Sequence, residues 1–299
     1  MSFCHATIPL IRQSTPLVWL GCAAGLYAML PALEPSYLLE GFAVMPKPLG
    51  NKLALVTGSS RGIGAAIAVR LAAEGAHVIV NYAASPARAE QVVSEITKAG
   101  GHAEAVQADL STIEGTKALA ASVDKVFGGK FGGRLDILVN NAGTVDFGPF
   151  LESSEDSYDK HFNLNVRSLI TLTKDLAPRM IKGRWGRIIN IGSCHGETAV
   201  LPGVVLYVAS KFAVQGFTRA LSRELGPTGV TVNNVQPGAI DTELSPDDNG
   251  PAAQTMKKLM SVGRFGRPEE IASAVAFLAS PDAAFINGES LTVDGGWNA

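Results

Sequence analysis

From residue 52 onward, short apolar runs closed by turn residues alternate with stretches of helical period. Leu53–Thr57, Ala76–Val80, His102–Gln107, Leu135–Val139, Arg187–Ile191, Val230–Val235 and Ser290–Val293 read as seven strands. Helical patterns fall between them, at Ala65–Glu74, Pro86–Ala99, His161–Ser168, the stretch opening at Tyr207, and Pro268–Leu278. Runs such as LALVT and RIINI are nearly continuous rather than alternating. That is the pattern of strands covered on both faces, as in a parallel sheet. Strand–helix alternation of this kind predicts an α/β fold with a doubly wound sheet.

Residues 1–50 do not share the pattern. Pro16–Leu33 is an uncharged apolar run preceded by Arg12. It stands at the lower edge of the roughly 17–25 residues that span a bilayer. Gly21, Gly25 and Pro31 weaken it as a helix, and no clean small-x-small cleavage site follows. Met45 opens MPKPLGNKLALVTG, a natural beginning for the domain at 51–299. Two readings therefore stand for the extension: a dispensable or misassigned leader, or a membrane-associated anchor acting through residues 16–33.

Composition narrows the class. A formal charge of −2 over 299 residues offers no electrostatic footprint for nucleic acid or an anionic membrane. Charged residues are 17% of the chain, against about 25% in average domains, which favours a large core and buried subunit contacts. Cys4, Cys22 and Cys194 form no CxxC pair and no even framework, and five histidines are unclustered. Neither structural disulfides nor a metal site is expected, and a reducing, cytoplasmic setting is.

Candidate chemistry begins at Gly58-Ser-Ser-Arg-Gly62-Ile-Gly64, between the first strand and its helix. Glycines there allow a tight turn and let backbone N–H groups approach a pyrophosphate at the positive helix end. An NAD site usually places an acid at the end of the second strand, for the ribose 2′-hydroxyl. None occurs between Asn81 and Ser85. Arg61 instead offers a guanidinium suited to a 2′-phosphate, which favours NADP(H), with NAD(H) as the alternative. Asp109-Leu110 ends the third strand, where Asp109 either meets the adenine amino group or simply forms a turn. Asn140-Asn141-Ala142-Gly143 lies at the carboxyl end of the fourth strand, where ligands of open α/β sheets bind.

A second constellation lies in Gly192–Lys211. Ser193 follows an apolar strand, and Tyr207 and Lys211 stand four apart, on one face of a helix. A neighbouring cation favours phenolate over phenol, so Lys211 is expected to lower the Tyr207 pKa toward neutrality. Cys194 and His195 follow the serine, but neighbours in an extended segment point opposite ways, which argues against a thiolate–imidazole pair.

Taken in order, Thr57–Gly64, Asn140–Gly143, Ser193, Tyr207-x-x-x-Lys211, Pro237-Gly238 and Val293-Asp-Gly-Gly296 resemble the short-chain dehydrogenase/reductase family over about residues 50–299. The nearest likeness is to 3-oxoacyl-carrier-protein reductases and glucose dehydrogenases. The resemblance implies a single Rossmann domain, a seven-stranded parallel sheet with helices on both faces, and a homotetramer. It implies a proton-exchanging Tyr207, a Lys211 that assists it and holds the nicotinamide ribose, and a Ser193 that binds the substrate oxygen. Asn165 matches the asparagine that holds a relay water; Asn163 is separated from it by resemblance alone. Gly58, Ser60, Arg61, Gly62, Ile63, Gly64, Asp109, Leu110, Asn141, Ala142 and Gly143 would hold the cofactor, together with Tyr207 and Lys211. Pro237, Gly238, Ile240 and Thr242 would hold its nicotinamide end.

The expected activity is hydride transfer between NADP(H) and a small-molecule ketone or aldehyde, 3-oxoacyl-like or another carbonyl. The alternatives are an NAD(H)-linked sugar or polyol dehydrogenase and a nucleotide-binding protein without turnover. Ser193 and Tyr207 are fourteen apart where close relatives commonly show thirteen, which places a substrate-dependent insertion in Cys194–Leu206. Glu243–Val262 reads as a mobile substrate lid.

Overall fold

Strand positions of the first apolar run alternate between two different cores. In the computed structural model, which describes residues 47–245 and 250–299, Ala54 and Val56 enter one buried cluster and Leu53 and Leu55 the other. A strand can do this only inside a sheet covered on both sides.

The strands are β1 (Leu53–Val56), β2 (His77–Tyr82), β3 (His102–Gln107), β4 (Ile137–Asn140), β5 (Gly186–Ile191), β6 (Val230–Pro237) and β7 (Ser290–Val293). They form one seven-stranded sheet in the order β3-β2-β1-β4-β5-β6-β7, with every neighbouring pair parallel. The helices are α1 (Gly62–Ala73), α2 (Pro86–Lys98), α3 (Ile113–Ser122), α4 (Glu155–Phe162), α5 (Ser168–Gly183), α6 (Val205–Leu225), α7 (Pro251–Leu259) and α8 (Pro268–Ala279). Ile67 and Leu71 of α1, Val92 and Ile96 of α2, and Ile271 and Val275 of α8 fill one face of the sheet. Leu119 of α3, Leu172 and Leu176 of α5, and Leu225 of α6 fill the other. The doubly wound α/β architecture expected from the alternating pattern is the one observed.

Two local differences matter for the site. β2 runs on past Val80 through Asn81 and Tyr82, because both residues keep pairing with Val106 and Gln107 of β3. The stretch 161–168 is not one regular helix: α4 passes through a π turn at Asn163–Arg167 before α5 begins. Such turns are frequent at functional positions. The apolar run at 16–33 lies outside the described residues. Among the described residues no helix is long and apolar enough to cross a membrane.

Candidate active site

Chain order reverses between β1 and β4, since β2 and β3 lie to one side of β1 and the later strands to the other. The crevice beyond the carboxyl ends at such a switch point is the natural ligand site of an open α/β sheet. A cavity of about 560 Å³ opens there. Its walls include every residue expected from the sequence to touch a cofactor or a reacting group, with one exception, Asn165.

The glycine turn is held from two sides. Thr57 Oγ1 accepts from the backbone N–H groups of Asn141 and Ala142, both at 2.9 Å. The Asn141 carboxamide donates back to the carbonyls of Thr57 and Gly58 at 2.8 and 3.1 Å. From β2, Asn81 Oδ1 accepts from the Gly58 N–H at 3.1 Å and its carbonyl from the Ser59 N–H at 2.8 Å. A Cβ on Gly64 would stand 2.5 Å from both Asn141 Nδ2 and the Gly58 carbonyl oxygen, so no larger residue fits. Just beyond, α1 starts with no acidic residue in its first turn and no side chain capping it. Its N–H groups and positive dipole end therefore suit an anion, and the cradle fits a dinucleotide pyrophosphate.

Ser193 ends the β5 connection in an extended conformation, and its hydroxyl accepts from the His195 N–H at 3.1 Å. Tyr207 lies in the first turn of α6, and Lys211 one turn later. The Lys211 ammonium donates to the Ile191 carbonyl at 2.9 Å and lies 5.5 Å from the Tyr207 ring centre. Asn165 is buried behind this trio. Its Oδ1 accepts from the Thr144 N–H at 2.8 Å. Its Nδ2 donates to the Thr144 carbonyl and to Ser210 Oγ, each at 3.0 Å. A Cβ on Gly143 would stand 3.2 Å from Asn165 Oδ1 and 3.6 Å from Lys211 Nζ. Asn165 therefore shapes the wall from behind, with its carboxamide fully engaged.

Electrostatics correct one expectation. Burial pushes the Tyr207 phenol up to about 12, although hydrogen bonding with the Ser193 side chain pulls the other way. Burial draws the Lys211 ammonium down to about 8. The i, i+4 spacing does not lower the phenol here, because the cation is turned to a backbone carbonyl and both groups have lost water. Cys194 and His195 occupy a short 3₁₀ turn rather than an extended segment. Burial raises the Cys194 thiol to about 11 and lowers the His195 imidazole, so a thiolate–imidazolium pair finds no support.

Asp109 Oδ1 accepts from both the N–H and the hydroxyl of Ser111, at 2.9 and 2.8 Å, and the residue lines the cavity. It is a turn former and a wall residue at once. Several contributors have no strong signal in the sequence. Met256 and Trp297 join Leu201 and Val204 in an apolar part of the cavity wall, although Trp297 is the third residue from the end of the sequence. Arg88 lies in the first turn of α2, three residues past Ser85 and beyond the strand end. With Arg61 it grips Glu243: Arg61 Nη1 donates at 2.9 Å, and Arg88 Nη1 donates to both carboxylate oxygens at 2.8 and 2.7 Å. Residues 246–249, within the stretch read as a lid, lie outside the described residues.

A family model described as enoyl-(acyl carrier protein) reductase matches residues 58–298. A 3-oxoacyl-[acyl-carrier-protein] reductase of Synechocystis sp. is 41% identical over 250 residues, 83% of this chain and 97% of that one. The solved structure of a short-chain dehydrogenase/reductase from Serratia marcescens is 47% identical, with a TM-score of 0.78 over 84% of this chain and 100% of that chain. A blue fluorescent protein from a metagenomic library, solved in complex with NADPH, is 41% identical with a TM-score of 0.79, covering 84% of this chain and 100% of that chain.

Proposed function

The chain belongs to the short-chain dehydrogenase/reductase family, and from that premise we propose an NADP(H)-dependent enzyme that interconverts a ketone or aldehyde with an alcohol. One observation carries the reading: Ser193, Tyr207 and Lys211 share a single cavity with the glycine turn and the open end of α1. A hydroxyl, a phenol and an ammonium beside a dinucleotide cradle are what carbonyl reduction requires of a protein.

Gly58, Ser60, Arg61, Gly62, Ile63 and Gly64 hold the phosphates of the cofactor, and Asp109 and Leu110 the adenine. Asn141, Ala142 and Gly143 line its ribose, and Pro237, Gly238, Ile240 and Thr242 its nicotinamide end. When bound, NADPH supplies a hydride to the carbonyl carbon. Tyr207 gives its phenol proton to the carbonyl oxygen, which suits a group that stays protonated at neutral pH. Ser193 donates a hydrogen bond to the same oxygen as negative charge grows there. Lys211, fixed by its bond to the Ile191 carbonyl, holds the nicotinamide ribose hydroxyls. Asn165 fixes Thr144 and Ser210, and so the spacing between the β4 and α6 walls.

NADP(H) is preferred on three grounds. A relative was solved with NADPH. The cavity wall from Asn81 to Ser85 carries no acid, and Arg61 faces the same corner. The apolar wall of Leu201, Val204, Met256 and Trp297 suits a carbonyl with an apolar flank, such as a 3-oxoacyl thioester. The assembly proposed is a homotetramer, joined through exposed apolar side chains such as Ile170 of α5 and Phe212 of α6. Light scattering tests it, and a monomer would remove it. The activity is tested by following NADPH absorbance with 3-oxoacyl thioesters, diketones, steroids and sugars. Turnover only with NAD(H) and sugars would overturn the reading.

A further inference from the structure

Arg61 and Arg88 come from the starts of two different helices, yet they converge on one carboxylate from far along the chain. Glu243 is brought there by its backbone. The Ile240 end of its segment pairs with Gly266, and the Asp241 N–H donates to the Gly266 carbonyl at 2.8 Å. Thr242 lies across the glycine turn, its methyl carbon 3.5 Å from where a Cβ on Gly62 would stand. Glu243 therefore follows a residue seated on the phosphate cradle.

The position coincides with the corner where the sequence calls for a 2′-phosphate partner. Tyr82, Ala83, Ala84 and Ser85 line the cavity there together with Arg61 and Glu243. The Ser85 side chain does not cap α2, although Ser85 holds the N-cap position. The corner thus offers the Arg61 guanidinium and a hydroxyl, and the Glu243 carboxylate there holds a second guanidinium, that of Arg88, beside it.

We infer that Glu243 is an internal competitor for the cofactor's 2′-phosphate, with Arg61 and Arg88 as the shared cation pair. This rests on the NADP(H) reading above and adds to it a second phosphate-binding residue and an anion that must be expelled. The charge balance supports exchange rather than co-occupancy. Two guanidinium groups neutralise a dianionic phosphate, and retaining the carboxylate beside it would leave excess negative charge. The exchange is also cheap. The side chains of Arg61, Arg88 and Glu243 are 53%, 43% and 55% exposed, and solvent screens ion pairs at such exposure. The cluster is therefore poorly suited to stabilise the fold and well suited to yield to a stronger anion. NADPH displaces Glu243, whereas NADH, which has no 2′-phosphate, leaves it seated.

The test measures dissociation constants of NADPH, NADH and adenosine 2′,5′-bisphosphate by calorimetry or fluorescence titration on the full chain, without substrate. Glu243→Gln should tighten NADPH and the bisphosphate by roughly 3–10-fold and change NADH by less than about 2-fold. Arg88→Ala should weaken NADPH by roughly 5–20-fold and spare NADH. In the Arg88→Ala background the gain from Glu243→Gln should shrink, since the two act through one contact. The inference is overturned if Glu243→Gln leaves NADPH unchanged, or if it shifts NADH equally. It is also overturned if the substitution weakens NADH, which would make Glu243 a partner of the ribose hydroxyl. Those results leave the NADP(H) reading standing. That reading fails separately, and takes the inference with it, if the unsubstituted protein binds NADH as tightly as NADPH and Arg61→Ala does not change the ratio.

Discussion

Lys211 donates its ammonium to the carbonyl oxygen of Ile191 at 2.9 Å, tying the last residue of β5 to α6 one turn beyond Tyr207. The bond fixes where the charge sits relative to the phenol. It also explains why a cation four residues away does not by itself acidify the tyrosine. Lys211 is 5% exposed, and its ammonium donates to the strand end.

Tyr207→Phe keeps the ring and removes only the proton. Turnover is expected to fall by about 10²–10⁴-fold, the usual worth of a positioned acid or base. NADPH affinity should stay within about 3-fold, because the phenol is assigned to the substrate oxygen. Steady-state rates and a cofactor titration check both halves, and an active Phe variant would dismiss the assignment.

Lys211 makes stability depend on pH with a definite sign. Its folded pKa of about 8 lies below the ordinary lysine value. Below pH 8 both states carry the charge, and the folded state bears the cost of burying it. As pH rises from there toward about 10.4, the folded state releases its proton first and stability increases. Relative to Lys211→Met, the unsubstituted protein should therefore gain about 3 kcal/mol between pH 7 and pH 11. Urea titrations of both proteins across that range decide it, and parallel curves would refute the lowered pKa.

The Asn165 carboxamide makes three hydrogen bonds to Thr144 and Ser210. Asn165→Asp keeps the acceptor and loses both donations, leaving buried acceptors unpaired at about 1–3 kcal/mol each. A fall in melting temperature of roughly 5–10 °C is expected. A shift below about 2 °C in a calorimetric scan would mean that the segment is held without it.

The Cys194 thiol, pushed up to about 11, packs with Met260, Phe265 and Trp297. At pH 8 only about one molecule in a thousand would carry the reactive thiolate. Iodoacetamide should leave Cys194 unlabelled in the folded protein and label it in urea, as read by peptide mass spectrometry. Rapid labelling of the folded chain would reopen a nucleophilic role.

The sequence determined the sheet, because strands buried on both faces must be nearly continuous in apolar residues and LALVT and RIINI are. It also determined the glycine turn and the Ser193, Tyr207 and Lys211 set, since those are local spacings on a strand end and one helix. Direction and solvation were decided only in three dimensions. Lys211 turns to Ile191 and burial raises the phenol, neither of which a spacing can express. Asn165 stands behind the wall rather than in it. Arg88 and Glu243 are 155 positions apart and meet only because the start of α2 and the segment after β6 converge beside the same cradle. Trp297 reaches the cavity from the chain's end by the same route. Chemistry that depends on neighbours in sequence was legible there. Chemistry that depends on desolvation and on contacts between distant segments had to await the fold.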